Sequence, residues 1–283
     1  MNYRHAFHAG NFADVVKHAV LALLIERLKA KETAFRVIDT HAGIGLYDLA
    51  GDEARRTGEW RNGIGRVYDV RLPPAIETLM RPYLEAVRAA NGPGPLARYP
   101  GSPWIVHHLL RRQDRLTAVE LHPADAEALR ELFAGDRQVK TIALDGWLAL
   151  GSFVPPKERR GLVLVDPPYE AAAEFARLAQ ALEAAHRKWA AGSYLAWYPI
   201  KDRDEPDALA RRLRRAGIGK ILRVELGVAA PSEAGRLTAC GLIAINPPWT
   251  LADELALLLP ELTRVMSENG AGRSRVDWLT GEL

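Results

Sequence analysis

Cysteine is almost missing from this chain: of 283 residues only Cys240 carries a thiol, which excludes a disulfide framework and any Cys-rich zinc site. Its eight histidines share no metal-ligand spacing on a common helix, so no metal is expected. Long hydrophobic runs are lacking too. The longest are too short to span a bilayer, and the start, Met1-Asn2-Tyr3-Arg4-His5, has no apolar signal region. The expectation is a cytoplasmic monomer with no membrane partner. There is no internal repeat or low-complexity tract. An excess of either charge is lacking: a net +3 with a pI near 9.0 permits a nucleic-acid partner without demanding one. What is present, 48% hydrophobic residues over this length, can bury a large core, either as one domain with an insertion or as two small domains.

The apolar run Gly161-Leu162-Val163-Leu164-Val165 reads as a buried strand, and it ends in Asp166-Pro167-Pro168-Tyr169. Pro-Pro by itself only stops a strand. An acid at the carboxyl end of a strand, however, stands where open α/β sheets bind their ligands. An exocyclic amine is a poor nucleophile because its lone pair is delocalised into the ring. The Asp166 carboxylate and the Pro167 carbonyl can each accept one of its N–H groups, and Tyr169 offers a face on which a base can stack, so the tetrapeptide suits amine methylation.

A ligand site for the methyl donor is readable upstream. Phe35-Arg36-Val37-Ile38-Asp39 breaks into Thr40-His41-Ala42-Gly43-Ile44-Gly45, a turn whose glycines let backbone approach a ligand closely. The third glycine of the dinucleotide fingerprint is absent, which argues against NAD. The run Leu116-Thr117-Ala118-Val119 ends in Glu120, suited to accept hydrogen bonds from ribose hydroxyls. Val139 to Leu144 ends in Asp145-Gly146, where a carboxylate could meet an adenine amine. The ordered series of glycine turn, Glu120, Asp145 and Asp166 describes an S-adenosylmethionine site along one edge of a sheet.

This series, together with the N-terminal Tyr3 to Asn11 and Asp14-Val15-Val16-Lys17-His18, closely resembles the bacterial 23S ribosomal RNA adenine-N6 methyltransferases of the RlmJ type. The resemblance extends over Asp39 to Gly43, Tyr99-Pro100-Gly101-Ser102-Pro103, Glu120-Leu121-His122-Pro123, Trp197-Tyr198-Pro199 and Asn246-Pro247-Pro248-Trp249. Phe12, where the family can carry His, is a peripheral difference. The resemblance implies a Rossmann-like class I fold with an inserted helical subdomain, and 23S ribosomal RNA as partner. It implies cofactor contacts at His18, His41, Gly43, Ser102, Glu120, Asp145, Gly146 and Asp166, with catalysis at Asp166, Pro167 and Tyr169. Tyr3 would lie near the RNA, and Arg4 and His5 beside it supply cations.

Along the chain, Phe12 to Lys31 predicts an amphipathic helix capped by Asn11. Without the resemblance, Lys17 and His18 read as solvated or packed side chains. Residues 51–98 are polar, punctuated by glycine and helical from about Pro74 to Ala90, so they form the inserted subdomain, while 1–50 and 99–283 form the methyltransferase domain. Arg55 and Arg56 on the insertion are further candidates for RNA contact. Ser102-Pro103 predicts an N-cap and N1 proline for a helix through Arg112, and Ser102 is equally readable as a plain cap. A long helix is expected over Glu170 to Ala190. Arg211, Arg212, Arg214 and Arg215 crowd the end of another helix, where they either bind phosphates or complement the helix dipole. Strands at Ile221 to Val228 and Leu237 to Asn246 complete a seven-stranded mixed sheet whose last strand is antiparallel.

Asn246-Pro247-Pro248-Trp249 is a rival catalytic tetrapeptide. Chain order ranks it second, because only 34 residues follow Trp249, fewer than the remaining strand and helix layers require. DNA adenine or protein-glutamine methylation would share the Asp166 tetrapeptide. A silent RNA-binding module would need none of the series.

Overall fold

The computed structural model describes residues 4–171, 173–231 and 236–281. In chain order, α1 (Phe12–Lys29) leads into β1 (Arg36–Asp39) and β2 (Leu46–Asp48), followed by α2 (Asp52–Thr57), α3 (Ile64–Val67) and α4 (Pro74–Asn91). β3 (Arg98–Pro100) returns to pair antiparallel with β2. The chain then alternates: α5 (Ser102–Leu109), β4 (Arg115–Glu120), α6 (Pro123–Leu132), β5 (Val139–Ala143), α7 (Gly146–Ser152), β6 (Gly161–Val165), α8 (Glu174–Lys188), β7 (Ser193–Pro199), α9 (Asp204–Arg215) and β8 (Ile221–Gly227). β9 (Ala239–Ile245), α10 (Leu251–Met266) and β10 (Arg273–Thr280) finish it.

The main sheet has the order β10-β8-β9-β7-β6-β1-β4-β5 and therefore eight strands, one more than the sequence predicts. From β5 to β7 neighbouring strands are parallel. β9 runs antiparallel to both β7 and β8, as expected of the seventh strand. The unforeseen eighth strand, β10, pairs antiparallel with β8 at the edge. Its sequence hides it because an edge strand faces water along one side, and of its residues only Leu279 is buried. A buried Arg223 on β8 holds it, donating to both carboxylate oxygens of Asp277 at 2.9 Å.

β6 shows why the central strands read as unbroken apolar runs. Leu162 and Leu164 join the core under α1, while Val163 and Val165 join the core under α8 and α9, so both faces are buried. α1 departs from its expected amphipathic character. It is buried on every side from Phe12 to Ile25, because α4, α5 and α10 pack around it on the sheet. The 51–98 segment is tied at its base by the β2–β3 ribbon, and the buried face of α4 (Ile76, Met80, Tyr83, Leu84, Val87) belongs to the same core as α1.

β9 enters the sheet reversed, with Ile245 opposite Tyr194 at the start of β7. Asn246 therefore lies at the amino ends of the parallel strands, whereas Asp166 follows the carboxyl end of β6. The 34 residues after Trp249 do form a helix and a strand, so the chain-order argument against Asn246 fails; its place in the sheet separates the two tetrapeptides instead.

Candidate active site

The carboxyl ends of β1, β4, β5 and β6 open into a cavity lined by His18, His41, Gly43, Ser102, Glu120, Asp145, Gly146, Asp166 and Pro167. The expected cofactor residues are thus brought together in one place. Gly43 and Gly45 make the turn after β1 with φ of +61° and +81°, a conformation costly for other residues. Glu120 anchors that turn: one carboxylate oxygen accepts the Gly43 N–H at 2.8 Å and the other accepts the His122 N–H at 2.8 Å.

Asp145 caps α7, its Oδ1 accepting the Trp147 and Leu148 N–H groups, while Oδ2 is 3.5 Å from Arg177. Ser102 is not an N-cap. That position falls to Gly101, and α5 stops at Leu109. The Ser102 hydroxyl instead lies by the carboxyl of Asp39, which is wholly buried, accepts the His41 N–H at 3.3 Å through Oδ1 and keeps Oδ2 without a partner; burial raises the Asp39 pKa to about 7, opposed by Ser102. Burial also makes both histidines neutral at physiological pH, lowering His18 to about 3 and His41 to about 4. His18 Nδ1 shares a 2.7 Å hydrogen bond with the Tyr99 hydroxyl, and His41 Nδ1 one of 2.8 Å with Thr40 Oγ1.

A second cavity adjoins the first and is lined by Tyr169, Trp197, Pro199 and Lys201 among others. His5, Lys17, Asp166, Pro168 and Glu170 line both, so Asp166 stands in the wall between them. Tyr169, at φ +54°, donates its hydroxyl to the Trp197 carbonyl at 2.9 Å, and its ring meets Trp197 and Phe175 at centroid distances of 5.7 and 4.8 Å.

Lys17, passed over in the sequence, is the centre of this wall. Its side chain is 4% exposed, and its ammonium donates to Asp166 Oδ2 at 2.5 Å and to Asp14 Oδ1 at 2.8 Å. Asp14 Oδ2 in turn accepts the Gly10 N–H at 2.9 Å and contacts His5 Nε2 at 2.9 Å. Burial opposes the Lys17 charge, yet Asp14 and Asp166 outweigh it and hold the pKa above its ordinary value. Burial likewise pushes Asp14 upward, and His5 and Lys17 overcome it to hold Asp14 well below the carboxylate range. The signal was available: an acid and a lysine spaced i,i+3 inside an otherwise apolar helix must satisfy each other or another buried charge.

Of the residues assigned to RNA, Tyr3 lies outside the described residues. Arg4 reaches Glu53 at 3.5 Å and Asp125 at 3.3 Å, pinning the N-terminal segment across α2 and α6. Arg56 lies over the Phe7 ring at 5.4 Å. Among the described residues no cluster of three or more His, Cys, Asp or Glu has metal-binding geometry, and no helix is long and apolar enough to cross a membrane.

Asn246 is far from both cavities in role as well as in place. Its side-chain amide donates to the carbonyls of Ala190 and Gly192 at 2.7 and 2.8 Å, closing the loop before β7. Asn246→Ala is expected to cost about 1–3 kcal/mol of stability and to leave single-turnover transfer at saturating substrates unchanged. Thermal melts run beside activity decide it, since a stable but inactive variant would reverse the assignment.

A family model described as Ribosomal RNA large subunit methyltransferase D, RlmJ, matches residues 32–280. Two proteins named Ribosomal RNA large subunit methyltransferase J, from Haemophilus influenzae and Escherichia coli, are 42% and 41% identical to this chain over 283 residues, covering all of both partners. A crystal structure of a Legionella pneumophila protein aligns with a TM-score of 0.87 at 34% identity, covering 96% of this chain and 98% of that one.

Proposed function

The chain belongs to the RlmJ family of ribosomal RNA large-subunit methyltransferases, and from that premise we propose that it methylates the N6 amine of one adenine in 23S ribosomal RNA. The observation that carries this reading is the position of Asp166 between two adjoining cavities, one acid-lined and one aromatic. In this reading 1–50 and 99–283 form the catalytic domain, 51–98 the inserted helical subdomain, and the protein works as a cytoplasmic monomer without a metal.

The first cavity suits S-adenosylmethionine by its donor and acceptor set. Glu120, Asp125, Asp145, Glu170 and Glu174 face Arg177 and the paired Lys17, an acidic surround that favours a cationic ligand and repels a dinucleotide pyrophosphate. Glu120 would accept the ribose hydroxyls, with Asp145 near the adenine amine and His18, His41, Gly43, Ser102 and Gly146 shaping the walls. When bound, the cofactor supplies an electrophilic methyl group on a sulfonium.

Asp166 and the Pro167 carbonyl accept the two N–H groups of the target amine, localising its lone pair toward the donor. Lys17 occupies Asp166 Oδ2, so Oδ1 is the oxygen left for the amine. Tyr169, fixed by its hydroxyl to Trp197, and the Trp197 ring give the aromatic cavity its stacking surface. Transfer would form the N–C bond as the donor's C–S bond broke, and Asp166 Oδ1 or solvent would take the amine proton.

Incubating the purified chain with protein-free 23S ribosomal RNA and methyl-labelled S-adenosylmethionine, then digesting to nucleosides, tests the proposal. N6-methyladenosine is the expected product; label in another nucleoside or none at all would refute it. Glu120→Ala is expected to weaken S-adenosylmethionine and S-adenosylhomocysteine by similar factors, about 1.5–3 kcal/mol, because both carry the same ribose and both lose the anchored Gly43 turn. Calorimetric titration with unchanged affinity for both removes Glu120 from the site.

A further inference from the structure

The second proline tetrapeptide takes no part in this chemistry, yet it is firmly built. Asn246 adopts left-handed backbone at φ +51°, uncommon outside glycine. Besides its two side-chain bonds, its N–H donates to the Lys220 carbonyl at 3.0 Å and its own carbonyl accepts from Ser193 Oγ at 3.0 Å. What this locked turn presents is Trp249, 84% exposed, more than any other large apolar side chain among the described residues. An indole held in water gains nothing from folding.

Cations line hollows on two sides of the 189–192 loop to which Asn246 is bonded. Beside Pro247 and Pro248 a cleft is lined by Lys31, Arg159 and Arg160. Beyond the loop, a groove between α8 and α9 is lined by Arg187, Arg211 and Arg215. Among the described residues none of the six forms an ion pair, whereas neighbours in the same hollows do: Arg27 with Glu254, and Arg212 with Glu183. Capping of helix ends explains a basic residue or two in a last turn. Arg187 and Arg215 stand in the last turns of α8 and α9, and Arg160 donates to the carbonyls of Leu28 and Thr33 at the end of α1, but helix capping does not account for Lys31, Arg159 and Arg211.

We propose that this edge of the sheet is a second RNA-docking surface, on which Trp249 stacks against an unpaired base while these arginines and Lys31 neutralise phosphates. The inference rests on the RNA methyltransferase reading above. α8 connects the two edges: it begins beside the Asp166 loop and carries Arg187 about 20 Å away at 1.5 Å per residue, so one folded RNA can engage both. An exposed aromatic on the same edge as these cations fits RNA in particular, because a base gives the indole a flat partner that an acidic protein surface does not.

Filter binding of the full-length protein to protein-free 23S ribosomal RNA across a salt series tests the surface. Trp249→Ala should weaken binding about tenfold, and Trp249→Phe should recover most of it. The joint variant Arg187→Ala, Arg211→Ala, Arg215→Ala should bind more weakly and lower the slope of log affinity against log salt by about two. Melting temperature, S-adenosylmethionine affinity and transfer rate at saturating RNA should stay at wild-type values. RNA affinity and slope unchanged in both variants overturn the surface while leaving the enzyme reading intact. A wild type that binds through these residues but transfers no methyl group keeps the surface and removes the catalytic reading. A wild type that binds no RNA removes both.

Discussion

Asp166→Ala is expected to lower methyl transfer by at least about a hundredfold, the usual cost of losing one well-placed polar stabiliser, with S-adenosylmethionine affinity close to wild type. Although Asp166 also lines the cofactor cavity, the proposed function gives its carboxylate to the target amine and leaves Glu120 and Asp145 as the acids that bind the cofactor. The fold tolerates the loss because Lys17 keeps its 2.8 Å pairing with Asp14. Asp166→Asn is expected to retain only a trace of activity. An amide has one acceptor oxygen, and if that oxygen takes the Lys17 proton, the NH2 group is turned toward an amine that also donates. Single-turnover transfer at saturating cofactor reads both variants, and near wild-type rates for Asp166→Ala would remove it from the chemistry.

Lys17→Met is expected to have an effect as large on rate and a larger one on stability. Removing the buried ammonium leaves Asp14 and Asp166 facing each other with no cation between them, and breaking a buried pair in this way commonly costs about 3–5 kcal/mol. The sign of its pH dependence follows from the two shifts. Asp14 is held below its ordinary value of 3.8, so its contribution is present above that pH and lost as pH falls through the depressed folded value. Lys17 is held above 10.5, so its contribution is present below that pH and lost on raising pH beyond it. The stability gap between wild type and Lys17→Met should therefore be widest between about pH 5 and 9 and should narrow in acid, as Asp14 takes up its proton. Melting curves from pH 3 to 9 with a constant gap would show that Lys17 does not neutralise this pair.

The parts of the fold legible in sequence are those where one physical demand dominates. β6 is buried on both faces, so Leu162 to Val165 can only be apolar, and the acid after it is conspicuous. Glu120 stands out for the same reason, at the end of β4, which is buried from Leu116 onward, whereas Asp145 follows the edge strand β5, none of whose residues is buried, and is marked by the glycine turn after it. β10 was illegible because an edge strand need bury little: Arg273, Ser274 and Arg275 are exposed, and the strand is held by an ion pair to β8 that no local pattern reveals. The amphipathic reading of α1 failed because Asp14, Lys17 and His18, polar positions that ordinarily mark a wet face, satisfy one another, Asp166 and Tyr99 inside the protein. Ser102 misled as a cap because a serine before proline at a helix start usually is one, and only the fold brings Asp39 to its hydroxyl. The two proline tetrapeptides share one pattern, an acid or amide, two prolines and an aromatic. The reversal of β9 puts them on opposite edges of the sheet, which is a property of strand order and not of either segment.

The central claim is that Asp166 carries adenine-N6 methylation of 23S ribosomal RNA, and nucleoside mass spectrometry of that RNA from cells tests it most directly. Cells lacking the protein should lose one N6-methyladenosine, the wild-type chain should restore it, and the Asp166→Ala chain, present at equal abundance, should not. An N6-methyladenosine content indifferent to the protein, or restored as well by Asp166→Ala, would contradict the account.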